Sequence, residues 1–126
     1  VAKLLYGIHG IERADIEGRN RVNRRNVTAF DAPVMGFVFV HDDMLPWSAM
    51  DAGLMLQTLF LSAKSRGVDS CPVGILAIWR APVDEEFEVP EGYKFITGFA
   101  LGYADPDAPI NAMQEPRPAI QLLEGK

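Results

Sequence analysis

Residues 47–74, WSAMDAGLMLQTLFLSAKSRGVDSCPVG, carry the reading on which the fold turns. Met50, Leu54, Leu56, Leu59, Phe60, Leu61 and Ala63 cover most of a helical circumference, which predicts a helix from about Trp47 to Arg66. Ser48 or Pro46 opens it. Lys64 and Arg66 in the last turn and Gly67 at the C-cap close it, because cations and an unrestricted glycine both suit a helix C-terminus. A helix that is apolar nearly all round is buried in a core or an interface, so this element is the structural centre of the chain. Ser70 to Gly74 then reads as a short connecting segment, holding both the ring-locked Pro72 and the unrestricted Gly74. Ile75 to Trp79 reads as a short helix.

Upstream, Asp31-Ala32-Pro33 breaks the chain, and Val34 to Val40 follows as a β-prone run. Being apolar on both faces, it reads as a buried central strand ending in the polar turn His41-Asp42-Asp43. Asp15 to Asn26 reads as a helix N-capped by Asp15, with a thin apolar stripe of Ile16 and Val22 among arginines. Downstream, Asp84 to Gly92 is acidic and turn-rich, and Lys94 to Tyr103 reads as a second strand. Asp105 to Pro118 contains four prolines and reads as an extended, irregular arm. This makes two strands, whereas a stable sheet usually needs three or more. The shortfall points to a second copy or to a further N-terminal segment as the partner.

The 126 residues suit one domain, spanning 1–126. Hydrophobic residues make up 48% and charged residues 23%, a globular balance. Seventeen acidic against twelve basic residues give a net charge of −5, which argues against nonspecific binding to nucleic acid or an anionic membrane surface. The longest apolar candidate, Ala52 to Ala63, is interrupted by Gly53, Gln57, Thr58 and Ser62, and falls short of the roughly 18 to 20 residues that span a bilayer. The N-terminus has no signal-peptide pattern. A single cysteine, Cys71, excludes an internal disulfide and makes a cytoplasmic location the simplest expectation. The chain starts at Val1, a start compatible with a fragment, a processed chain or an alternative start codon.

Side chains for acid–base or metal chemistry are few. The two histidines, His9 and His41, have no partner at metal-ligand helical spacing, and one cysteine excludes a thiolate zinc site in a monomer. Cys71 has no nearby base and reads as a small apolar residue before a proline. Glu85, Glu86 and Glu88 read as a solvated face, and Arg19 to Arg25 as surface charge around a helix. Gly7-Ile8-His9-Gly10 lacks the strand and the lysine of a phosphate-binding loop. No acid, base or nucleophile is singled out as catalytic.

Three segments, in order, resemble the FMN-dependent nitroreductase family. Asp51-Ala52-Gly53 with Gln57, running on to Leu61–Gly67, is similar to the family's central helix. Asp69-Ser70-Cys71-Pro72-Val73-Gly74 resembles its Gly-x-x-Ser-Cys-Pro-x-Gly loop. Gly98 to Pro106, continuing to Asn111 and Arg117, resembles its final strand and Gly-Tyr-x-x-Pro tail. The match covers Asp31 to Pro118 and resembles the C-terminal part of a family member.

The resemblance implies an α+β fold, a nitroreductase-like sheet flanked by helices, completed by dimerisation or by an N-terminal segment. It implies FMN as cofactor, with the Gly74 N–H directed at flavin N5 and Pro72 and Val73 packed on the ring. It also implies a phosphate site in the tail. Arg117 matches one of the family's two basic positions there, and the other falls on Gln114, which supplies no charge. Nothing before Val34 matches the family's Arg-Ser-x-Arg segment, whose arginines hold the phosphate and ribityl chain. The implied function is oxidoreduction, passing hydride from NAD(P)H through flavin N5 to a nitroaromatic or quinone-like acceptor, in a homodimer with FMN at its interface. The alternative is a truncated or degenerate relative that binds flavin weakly without turnover, or serves as a structural subunit.

Overall fold

The computed structural model describes residues 2–113 and 116–120. Its elements in chain order are α1 (Ala2–Ile8), α2 (Ile16–Arg24), β1 (Val34–His41), α3 (Trp47–Lys64), β2 (Asp69–Val73), α4 (Ala81–Glu86) and β3 (Tyr93–Gly102). Short 3-10 turns lie at Ala29–Asp31, Asp42–Met44, Gly74–Ala77 and Pro109–Ala112. The three strands form one antiparallel sheet in the order β1-β3-β2. The architecture is α+β, as expected.

The sheet corrects two sequence-based expectations. β3, not β1, is the central strand; β1 lies at an edge of the described sheet, with Val34 51% exposed. The third strand is Asp69–Val73, expected to be a connector. Its run is short and half polar, and Pro72 lacks the donor a central strand needs. An edge strand tolerates that loss. It pairs from Asp69 opposite Gly102 to Val73 opposite Gly98.

Helix α3 matches the expectation to within two residues. Beyond Ser65, Gly67 adopts φ +77°, and the Val68 N–H returns to the Ala63 carbonyl at 3.0 Å. That is a left-handed glycine cap, satisfying carbonyls that the helix end leaves open. The expected Asp15–Asn26 helix is shorter, with Asp15 Oδ1 accepting the Gly18 N–H at 2.8 Å. In place of a helix over Ile75–Trp79, a 3-10 turn spans Gly74–Ala77. The supposedly turn-like acidic stretch begins inside α4, where Pro82 sits in the first turn and needs no donor. α1 has no counterpart in the sequence reading, and the arm contains the turn Pro109–Ala112.

Two apolar layers flank the sheet. On one side Val73, Leu76, Val83, Phe95, Ala100 and Ala29 are buried together. On the other, Ala52 and Leu56 of α3 pack on Val38 and Val40, flanked by Phe60 and Phe99. Phe60 and Phe99 meet edge-on, with ring centroids 5.9 Å apart. Gly36 makes room for this arrangement, since a Cβ there would lie 2.2 Å from the Phe99 ring.

Candidate functional site: the Gly74 turn and the tail

Strand β2 delivers its last residue, Val73, into the core with no exposed surface, and Leu76 follows at 1% exposure. These two anchors pin both sides of Gly74. Between them, Gly74 is exposed and opens the 3-10 turn. The first residue of such a turn has no acceptor for its N–H within the turn. Beyond its immediate chain neighbours, no atom of the described chain comes within 4 Å of where a Gly74 Cβ would stand. The glycine is therefore not required by packing inside the chain.

Pro72 is exposed beside it. Val73 differs: it lies in the core with no exposed surface, so it supports the turn and does not pack on a ligand ring. Arg117 is exposed in the tail, and Gln114 lies outside the described residues. The structure thus brings Pro72, Val73 and Gly74 together at one turn.

The residues discounted for chemistry have structural surroundings. His41, Asp42 and Asp43 close β1, with their ligand-type atoms within 4.8 Å of one another. His41 stacks edge-on against Tyr93, and Lys94 Nζ lies 3.3 Å from the Asp42 carboxylate. The Cys71 thiol is held above its ordinary pKa by desolvation, which disfavours a nucleophilic thiolate. Arg80 and Asp84 form a forked pair at 2.7–2.9 Å across one turn. A cleft of about 230 Å³ lies between α4 and β1, lined by Met35, Phe37, Leu76, Val83, Glu86 and Phe87. An apolar cleft with a carboxylate is the wrong chemistry for a phosphate.

Asp69 opens the loop motif and is the first residue of β2. It bridges Lys64 at the end of α3 and the Ala104 N–H just beyond β3. The motif order placed it near the turn, but nothing in the sequence pairs positions 69 and 104, which meet only through the β2–β3 register.

The family model described as Nitroreductase family matches residues 6–103. The chain belongs to the nitroreductase family. It is 38% identical over 120 residues to a 4-nitrobenzoate reductase of Pseudomonas putida, covering 94% of this chain and 52% of that protein. It is 35% identical over 113 residues to a chloronitrobenzene nitroreductase of Comamonas testosteroni, covering 89% and 49%. Among solved structures, an FMN- and NADPH-dependent nitroreductase, NfnB, from Sphigopyxis sp. strain HMH superimposes with a TM-score of 0.89 at 32% identity. That superposition covers 99% of this chain and 57% of the other. The FMN-dependent NfnB from Mycobacterium smegmatis, solved in complex with NADPH, gives 0.85 at 30% identity over 94% and 53%. The chain spans about half the length of the curated relatives it matches. The nitroreductase fold of the chain is established by these superpositions. None of its described helices is long and apolar enough to cross a membrane.

Proposed function

We propose that this chain is the flavin-facing part of an FMN-dependent oxidoreductase of nitroreductase type, taking reducing equivalents from NAD(P)H and passing them to a nitroaromatic or quinone-like acceptor. The observation that carries the reading is the Gly74 turn. It sets an exposed glycine between two buried anchors, with open space beyond its chain neighbours where a Cβ would stand. Bound FMN supplies hydride transfer at N5, and the protein supplies position and electrostatics.

Each residue has a distinct part. Gly74 donates its N–H toward the flavin edge, and the missing side chain lets the ring come close. Pro72 offers a flat apolar surface, and Val73 fixes the turn from below. Arg117 supplies a charge-assisted contact to the phosphate, with Gln114 a neutral partner. No side chain is assigned as acid or base, in keeping with chemistry carried by the cofactor.

The exposed surface of α3 supports a homodimer. Trp47, Met50, Leu54 and Leu61 are 57–64% exposed, more apolar area on one helix than a solvated face normally carries. A second reading, a relative that holds flavin without turnover, is favoured by Gln114 standing where the family has a basic residue. Loading with FMN followed by assay of NADPH oxidation with a nitroaromatic separates the two. The proposed oxidoreductase retains flavin and turns over; a flavin-binding relative retains it and does not. Failure to retain FMN sinks the cofactor assignment itself.

A further inference from the structure

Asp69 is the first residue of β2, and its two carboxylate oxygens hold two other elements. Oδ1 accepts from Lys64 Nζ in the last turn of α3. Oδ2 accepts the backbone N–H of Ala104 at 3.0 Å. Ala104 lies two residues past the end of β3, where the chain leaves the sheet. Immediately after it the tail folds on itself. The Asp105 carboxylate accepts the Asp107 N–H at 2.9 Å, and its carbonyl accepts from Asn111 Nδ2 at 2.8 Å. The turn Pro109–Ala112 completes this unit, and α1 rests against it. A single side chain therefore fastens the root of the tail to the strand that ends at the Gly74 turn.

We propose that Asp69 is a positioning residue for the tail, setting where the segment bearing Arg117 stands relative to the Gly74 turn. The role rests on the flavin reading above, since the tail's anion contact is its purpose. Chemistry favours the arrangement in two ways. The contact to Lys64 is charge-assisted, so the carboxylate is compensated rather than left as a repulsive charge near a phosphate-binding tail. Prolines 106 and 109 fix φ just beyond the latch, so the exit direction is not dissipated in free rotation. The Lys64 contact, and after it the Ala104 N–H, hold the Asp69 carboxyl below its usual range. The sign follows: the latch is intact above the ordinary carboxylate range and is lost only as pH falls through that depressed value. The latch itself is therefore unchanged from neutral to mildly acidic pH.

Asp69→Asn tests the proposal in the full chain. An amide has one acceptor oxygen, so it serves either Lys64 or Ala104 while its NH₂ faces the other donor. Three readouts are taken: hydrogen exchange at the Ala104 amide without flavin, and dissociation constants for FMN and for riboflavin, which lacks the phosphate. The expected result is Ala104 exchange faster by about tenfold, FMN affinity weaker by about fivefold and riboflavin affinity unchanged, with sizes set by a charged hydrogen bond at an exposed site. In an Arg117→Ala background the same substitution should add nothing, because both changes act through one contact. Lys64→Gln, which keeps the Ala104 contact, should reproduce the pattern at smaller size and serves if Asp69→Asn does not fold.

An Ala104 amide that does not respond overturns the latch. Equal weakening of FMN and riboflavin, or full additivity with Arg117→Ala, overturns action through the tail. If Ala104 responds but Arg117→Ala leaves FMN binding unchanged, the phosphate assignment fails and takes the positioning role with it, while the fastening of the tail is upheld.

Discussion

The layer around Val73 and Leu76 and the outward face of α3 are built from similar aliphatic residues, yet their fates are opposite. Val73 and Leu76 are 0% and 1% exposed, whereas Met50, Leu54 and Leu61 are 57%, 64% and 63% exposed. The first layer is covered by the chain's own strands, turn and α4. On α3 only the stripe of Ala52 and Leu56 is buried by the sheet. Apolar sequence says that a surface will be covered, not what covers it. The buried layer anchors both sides of the Gly74 turn, and the open face is where the proposed second copy would pack.

The sharpest way to test that contrast is to truncate one residue from each region. Leu76→Ala should destabilise the chain by about 2–5 kcal/mol in chemical denaturation, the range for a buried leucine that leaves a cavity. Leu54→Ala at low protein concentration should cost no more than about 0.5 kcal/mol. Equal losses would mean that the outer face is already covered in the isolated chain. Next in size is the ligand contact. Arg117→Ala should weaken FMN binding by about 1.5–3 kcal/mol, roughly ten- to a hundredfold in the dissociation constant, by fluorescence titration. An unchanged constant removes Arg117 from the site.

Gly36→Ala probes the layer beneath α3. Its Cβ would stand 2.2 Å from a Phe99 ring that also meets Phe60 edge-on, so overpacking should cost about 1–3 kcal/mol. A neutral melting temperature would show that the rings yield freely. The smallest expected change in stability is at Gly74→Ala, within about 0.5 kcal/mol, because among the described residues only its chain neighbours meet the new methyl. Its FMN affinity should nonetheless fall. A variant binding FMN as well as the parent would place the ring elsewhere. Leu54→Glu should leave the monomer folded and abolish self-association in sedimentation; a monomeric parent contradicts the dimer.

Much of the fold was legible because its signals are local. The α3 pattern and its Gly67 stop sit within one helix, and the β-branched and aromatic run at Val34–Val40 announces a strand wherever it pairs. What escaped depended on partners distant in sequence. Asp69–Val73 becomes a strand only because β3 lies beside it, and its proline disguised it as a connector. The centre and the edge of the sheet were exchanged because β1 and β3 are both apolar on two faces, and composition does not order strands. At the site, the Pro72–Gly74 segment was legible through a family pattern, but the burial of Val73 depends on its pairing opposite Gly98, invisible while the segment read as a loop. The Asp69 bridge to Ala104 depends on register, which no local pattern carries.

The most direct measurement is the absorbance spectrum of the purified chain after incubation with FMN and gel filtration. Flavin bands travelling with the protein are expected if the Gly74 turn is a flavin site. A colourless protein peak, with all the flavin in the small-molecule fraction, would contradict that assignment.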